Sequence, residues 1–149
     1  MSIVKIPKLS PEFELVPFKI RNKGLYVKYY SDGVQAGFPS PAEDFKEHKI
    51  SLDGRYLKNP DATYLVRVKG DSMYPTLQKG DLLIVKSDKQ LTDNKIGILS
   101  FNNTDFTVKR YDKKNNTLIA DNASFPNIKV EEDDTILCLG IVQHLIRDL

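Results

Sequence analysis

Residues 69–85 read "KGDSMYPTLQKGDLLIV". Two Gly-Asp pairs, Gly70-Asp71 and Gly80-Asp81, bracket it, with an apolar run before the first and another after the second. Gly and Asp in these positions are turn formers, and turns present side chains instead of burying them. Ser72 is therefore displayed between two apolar segments, "TYLVRV" (63–68) and "LLIVK" (82–86), both rich in the residue types of strands.

The same texture continues to the end of the chain. "IGILSF" (96–101), "FTVKRY" (106–111), "TLIA" (117–120) and "ILCLGIVQHLI" (136–146) are short and apolar, and Asp93-Asn94, Asn102-Asn103 and Asn115-Asn116 separate them. Short strands at this spacing predict a compact, mainly antiparallel β domain. Upstream, Pro7, Pro11 and Pro17 forbid a long helix, so this part runs as extended pieces, with "LYVKYY" (25–30) its best strand candidate. Residues 31–45, "SDGVQAGFPSPAEDF", carry the Gly and Pro punctuation of a loop or linker. Ser40-Pro41 followed by Glu43 is a capping-box pattern and predicts a short helix over about 41–48.

Length and composition narrow the function classes. With 149 residues, 40% hydrophobic and 28% charged, the chain suits one soluble globular domain. No apolar run exceeds four residues, far short of the ~20 of a membrane span, and no signal-peptide pattern opens the chain. The single cysteine, Cys138, lies in "ILCLGIV" and is expected to be a buried, inert thiol; a reducing cytoplasm fits. Net charge is +2, with the basic excess in residues 1–36 and none beyond them. That balance argues against strong direct DNA binding. "EEDD" (131–134) reads as a solvated acidic turn, and no metal-ligand cluster or cofactor motif is present.

If Ser72 is reactive it needs a base. Only two histidines exist, His48 and His144, so lysine becomes the candidate activator. A lysine serves as a base only when neutral, and burial is what lowers its pKa from about 10.4. Lys109, inside "FTVKRY", is the best candidate. Strand alternation alone gives the opposite expectation: Lys109 shares a face with Thr107 and Tyr111, away from Phe106 and Val108, and reads as a solvent-facing lysine. Pattern leaves the two readings open.

A resemblance favours the first. "GDSMYPTLQKGDLLIV", followed 37 residues after Ser72 by "FTVKR", resembles the self-cleaving peptidase domain of the LexA/UmuD family, and "VQAGFPSPAEDF" is similar to that family's cleavage region. "LIADNASFPNIKV" and "ILCLGIVQHLI" resemble its last strands. The resemblance covers about residues 33–149. It implies a mainly β peptidase domain of short antiparallel strands with one or two short helices, over residues 37–149, after a removable extended arm, residues 1–36. It assigns Ser72 as nucleophile and Lys109 as general base, with the backbone N–H groups of Asp71 and Ser72 as the oxyanion hole and Ala36-Gly37 as the scissile bond. It further implies no cofactor, a homodimer, stimulation by a RecA–single-stranded-DNA filament, and a trimmed product that joins a UmuC-like Y-family polymerase in translesion synthesis. Transcriptional regulators inactivated by the same self-cleavage are the alternative. A helix-turn-helix is not expected in 36 residues interrupted by three prolines, and a signal peptidase would call for a membrane anchor.

Overall fold

The structure, a computed structural model, describes residues 8–19, 26–30 and 47–149. Two compact units divide the chain, residues 19–60 in one, residues 1–18 with 61–149 in the other. In the smaller unit, β2 (Tyr26–Tyr30) pairs antiparallel with β3 (Glu47–Ser51), and α1 (Leu52–Tyr56) follows directly. Ser51 caps that helix, its hydroxyl accepting from the Gly54 N–H at 3.3 Å. The helix expected over 41–48 is thus corrected where it can be seen: His48 lies in a strand, and the helix starts at Leu52. Residues 41–46 lie outside the described residues. From Glu47 on, the chain pairs with β2 instead of continuing as a helix.

The larger unit is one antiparallel sheet. Its members are β1 (Phe13–Val16), β4 (Thr63–Val68), β5 (Leu82–Lys86), β6 (Ile96–Phe101), β7 (Thr107–Asp112), β8 (Thr117–Ile119), β9 (Ile128–Lys129) and β10 (Ile136–Ile146). They stand in the order β1-β4-β5-β10-β6-β7-β8-β9. The mainly antiparallel β fold read from the sequence is the fold observed, and β4, β5, β6 and β10 coincide with the apolar runs that predict them. Asn94, Asn102, Asn103 and Asn116 all take positive φ, the conformation for which asparagine is favoured in turns.

Packing explains where the functional loop sits. The core is built from Phe13, Val66, Val68, Leu83, Val85, Ile98 and Val108, with Met73 and Leu77 reaching into it from the β4–β5 connection. The sheet curls enough that Leu9, just ahead of β1 at one edge, bridges to Phe106 at the start of β7. Ser10 N–H donates to the Phe106 carbonyl, and Phe106 N–H donates to that of Lys8.

Two expectations are corrected or refined here. Cys138 is exposed, not buried. Leu137 and Cys138 pair in regular register with Ser100 and Leu99 of β6, and both are exposed, so this part of β10 is open to solvent on both faces. Neighbouring atoms still shield the thiol enough to push its pKa up. The acidic 131–134 stretch is a turn closed on itself, with Glu131 N–H donating to Asp134 Oδ2 at 2.7 Å. Among the described residues no acidic, cysteine or histidine cluster could hold a metal ion, and no helix is long and apolar enough to cross a membrane.

Candidate active site

Ser72 opens the turn that links β4 to β5. The base of that connection is closed by Val68 N–H to the Asp81 carbonyl and Gly80 N–H to the Val68 carbonyl, both at 2.9 Å. Gly80 takes φ +93°, which a side chain would strain. Met73 and Leu77, each 2% exposed, pin the middle of the connection to the core. The connection is held firmly to the core by this means.

Polar clamps finish the job. Asp81 is 1% exposed, and Arg147 grips it through Nε and Nη2, both at 2.7 Å, while Gln78 N–H donates to the same carboxylate. Arg147 is the main cause that holds the Asp81 carboxyl below the usual carboxylate range. Asp121 joins the other side: it accepts from Thr76 Oγ1 at 2.6 Å and from Arg110 at 2.9 and 2.7 Å. Asn122 then binds both peptide groups flanking the serine. Its side-chain amide donates to the Asp71 carbonyl at 2.9 Å and its N–H donates to the Ser72 carbonyl at 3.1 Å. Fixing the Asp71 carbonyl fixes the plane of the Asp71–Ser72 peptide, and so the direction of the Ser72 N–H on its opposite side.

The Asp81 clamp has a checkable consequence. Because the folded pKa is depressed, the pair stabilises the protein above the ordinary carboxylate pKa of about 3.9, and this stability is lost as pH falls below it. Arg147→Ala leaves a buried carboxylate without its guanidinium, so the melting temperature should drop by several degrees at pH 7 and the further loss on acidification should be shallower. A melting series from pH 7 to pH 2 reads both. An unchanged melting temperature at pH 7 would show the clamp to be dispensable.

Lys109 lies in β7 opposite Gly97 of β6 and is only 7% exposed, so the solvent-facing position that alternation predicts is overturned. Val108 is fully buried beside it, because the curled sheet covers both faces of this strand. Burial pushes the Lys109 amine below the ordinary lysine value, and the Glu12 carboxylate pulls it partly back up. The amine donates to Thr107 Oγ1 at 3.4 Å and to the Val108 carbonyl at 3.3 Å.

Ser72 is 2% exposed, so the displayed position that its turn predicts is corrected to a buried one: residues 8–16 lie against it, and its hydroxyl donates to Glu12 Oε2 at 3.2 Å. Ser72 and Lys109, 37 residues apart, are thus brought to one carboxylate, Ser72 by a hydrogen bond and Lys109 by its charge. The Asp71 side chain turns outward and pairs with Lys79 at 3.2 Å. Ala36 and Gly37 lie outside the described residues. Glu12 and Asn122 escaped the sequence reading because their partners are 60 and about 50 positions away, where no local pattern registers them.

Comparison with known proteins relates the chain to a family. A family model described as Peptidase S24-like matches residues 28–143. Protein ImpA of Salmonella typhimurium is 32% identical over 79% of this chain and 81% of its own length. Protein MucA of Salmonella typhimurium is 31% identical over 79% and 82% of the two chains. The LexA repressor of Acidithiobacillus ferrooxidans is 37% identical over 76% of this chain and 58% of its own. With a family match over most of its length, and relatives above 30% identity that it largely covers, the chain belongs to the Peptidase S24-like, LexA/UmuD family.

Proposed function

We propose that the protein is a self-cleaving serine–lysine peptidase that cuts its own chain between Ala36 and Gly37, separating a removable arm, residues 1–36, from a peptidase domain, residues 37–149. The observation that carries this reading is a lysine buried inside a strand with a depressed pKa, in a family of peptidases whose serine-bearing turn it shares. Neutral Lys109 takes the Ser72 proton, Oγ attacks the Ala36 carbonyl, and a tetrahedral oxyanion forms. The Asp71 and Ser72 N–H groups stabilise that oxyanion, the direction of the Ser72 N–H being fixed by the Asn122 bond to the Asp71 carbonyl. Lys109 returns its proton to the leaving Gly37 amine. Water then hydrolyses the acyl-enzyme, giving a fragment that ends at Ala36. No cofactor enters this scheme. Because substrate and catalyst belong to one chain or one dimer, high effective concentration replaces tight substrate binding.

In the cell, on this reading, a RecA–single-stranded-DNA filament promotes the cut in the cytoplasm. The trimmed homodimer then serves a UmuC-like Y-family polymerase in the SOS response. A second reading, a transcriptional regulator inactivated by the same cut, is favoured by the similarity to a LexA repressor. Capture of a polymerase by the trimmed form supports the first reading, and loss of repression on cleavage supports the second. The chemistry common to both is tested by intact mass after incubating the pure protein at pH 7 and at about pH 10. The expected result is a pair of fragments dividing after Ala36, faster at the higher pH. Division at another bond would overturn the site.

A further inference from the structure

We propose that Glu12 is an inhibitory residue of this site: delivered by residues 8–16, its carboxylate occupies the Ser72 hydroxyl and holds the serine away from Lys109 until that segment is displaced. The inference rests on the serine–lysine reading above and adds to it a built-in restraint.

Four observations converge on Glu12. First, a serine hydroxyl has one proton to donate, and here it goes to Glu12 Oε2 at 3.2 Å. A carboxylate is a far weaker base than an amine, so it accepts that hydrogen bond without activating the nucleophile. Second, the groups in contact with the Lys109 amine are Thr107 and the Val108 carbonyl of its own strand, its β6 neighbour is Gly97, and Glu12 supplies the charge that favours its ammonium form. Glu12 therefore acts against both members of the pair at once.

Third, the space is made for it. A side-chain carbon at Gly70 would lie 2.7 Å from Glu12 Cγ and 2.9 Å from its Cβ, so only glycine at that position admits the Glu12 stem. Fourth, the segment is tied down on both sides of the serine. β1 pairs with β4, Lys69 N–H donates to the Glu12 carbonyl, Phe13 is buried in the core, and residues 8–10 bond to Phe106 ahead of β7. A glutamate at a sheet edge with water at hand has no need of such a berth. On the proposed reading Glu12 also belongs to the portion that cleavage removes, so the cut discards its own restraint.

The test uses the full-length chain without an activator and follows two rates at neutral pH: self-cleavage by intact mass, and phosphonylation of Ser72 by a fluorophosphonate. Glu12→Ala should raise both by at least about ten-fold, the change that one pKa unit on the lysine would produce. Glu12→Gln, which keeps an acceptor but loses the charge, should give a smaller rise. In both variants the rate-versus-pH curve should move to lower pH, a shift that mere loosening of the arm would not produce. Glu14→Ala, on the same strand and paired with Lys69 at 3.3 Å on the surface, should leave both rates unchanged. Rates in the Glu12 variants no higher than wild type, including no reaction in any of them, overturn the restraint. An equal rise in Glu14→Ala overturns it too, because the effect would then be general destabilisation of the arm. Cleavage that persists when Ser72→Ala is added to Glu12→Ala overturns the serine–lysine reading instead.

Discussion

Ser72→Ala is expected to abolish the fragment pair, slowing self-cleavage by more than about a thousand-fold, because on the proposed reading Ser72 Oγ is the group that forms the acyl-enzyme. The fold should survive. Ser72 is nearly fully buried, but its turn is held by Met73, Leu77 and the Asn122 bonds, none of which involves its hydroxyl. The one bond lost is the 3.2 Å donation to Glu12, worth on the order of 1–2 kcal/mol at most. The measurement pairs intact mass over time, with RecA filament and without, with a thermal melt of the same sample. A product ending at Ala36 from the alanine variant would remove Ser72 from the mechanism. A variant that fails to melt cooperatively would instead reveal a structural role for the hydroxyl.

The second large effect is at Lys109. Only the neutral amine can take the serine proton, so the unassisted rate should rise with pH, about ten-fold per unit at first, then level off above the lysine pKa. Burial lowers that pKa from the ordinary lysine value, so the plateau should arrive below the pH at which an exposed lysine would give it. Lys109→Arg should be inactive throughout, because a guanidinium keeps its proton across this range. Lys109→Ala should be inactive as well, without placing a fixed charge against Gly97 and the β6 backbone. Rate-versus-pH series for the three proteins, without RecA, provide the check. A flat wild-type profile would argue against a titrating amine, and an active arginine variant would dismiss the lysine as base.

Much of the fold was legible because its signals are local. Runs such as "TYLVRV" and "LLIVK" carry their strand character in five or six residues, and asparagine-bearing turns mark where they end. The chain outside those runs was less legible. β3 and β9 hold few apolar residues and exist as strands because partners pair with them, and the capping-box pattern at Ser40 does not make His48 helical. Cys138 sits in the most apolar stretch of the chain and is still exposed, as is Leu137 beside it, because nothing among the described residues covers that part of β10.

The candidate site divides along the same line. The sequence by itself determined that Ser72 stands in a turn between two strands and offered Lys109 as the candidate lysine, and the resemblance of that turn and of "FTVKR" to a family favoured it. Alternation could not make Lys109 a base, since a period of two only separates one face of a strand from the other. Whether a face is wet or dry depends on what the rest of the chain lays over it. Here the sheet curls, Leu9 meets Phe106, and both Val108 and Lys109 lose their water. The bond from Ser72 to Glu12, and the effect of Glu12's charge on Lys109, were likewise left to the tertiary structure. A hydrogen bond spanning 60 residues has no sequence period, and its partners are chosen by the topology that brings the edge of the sheet to the serine turn.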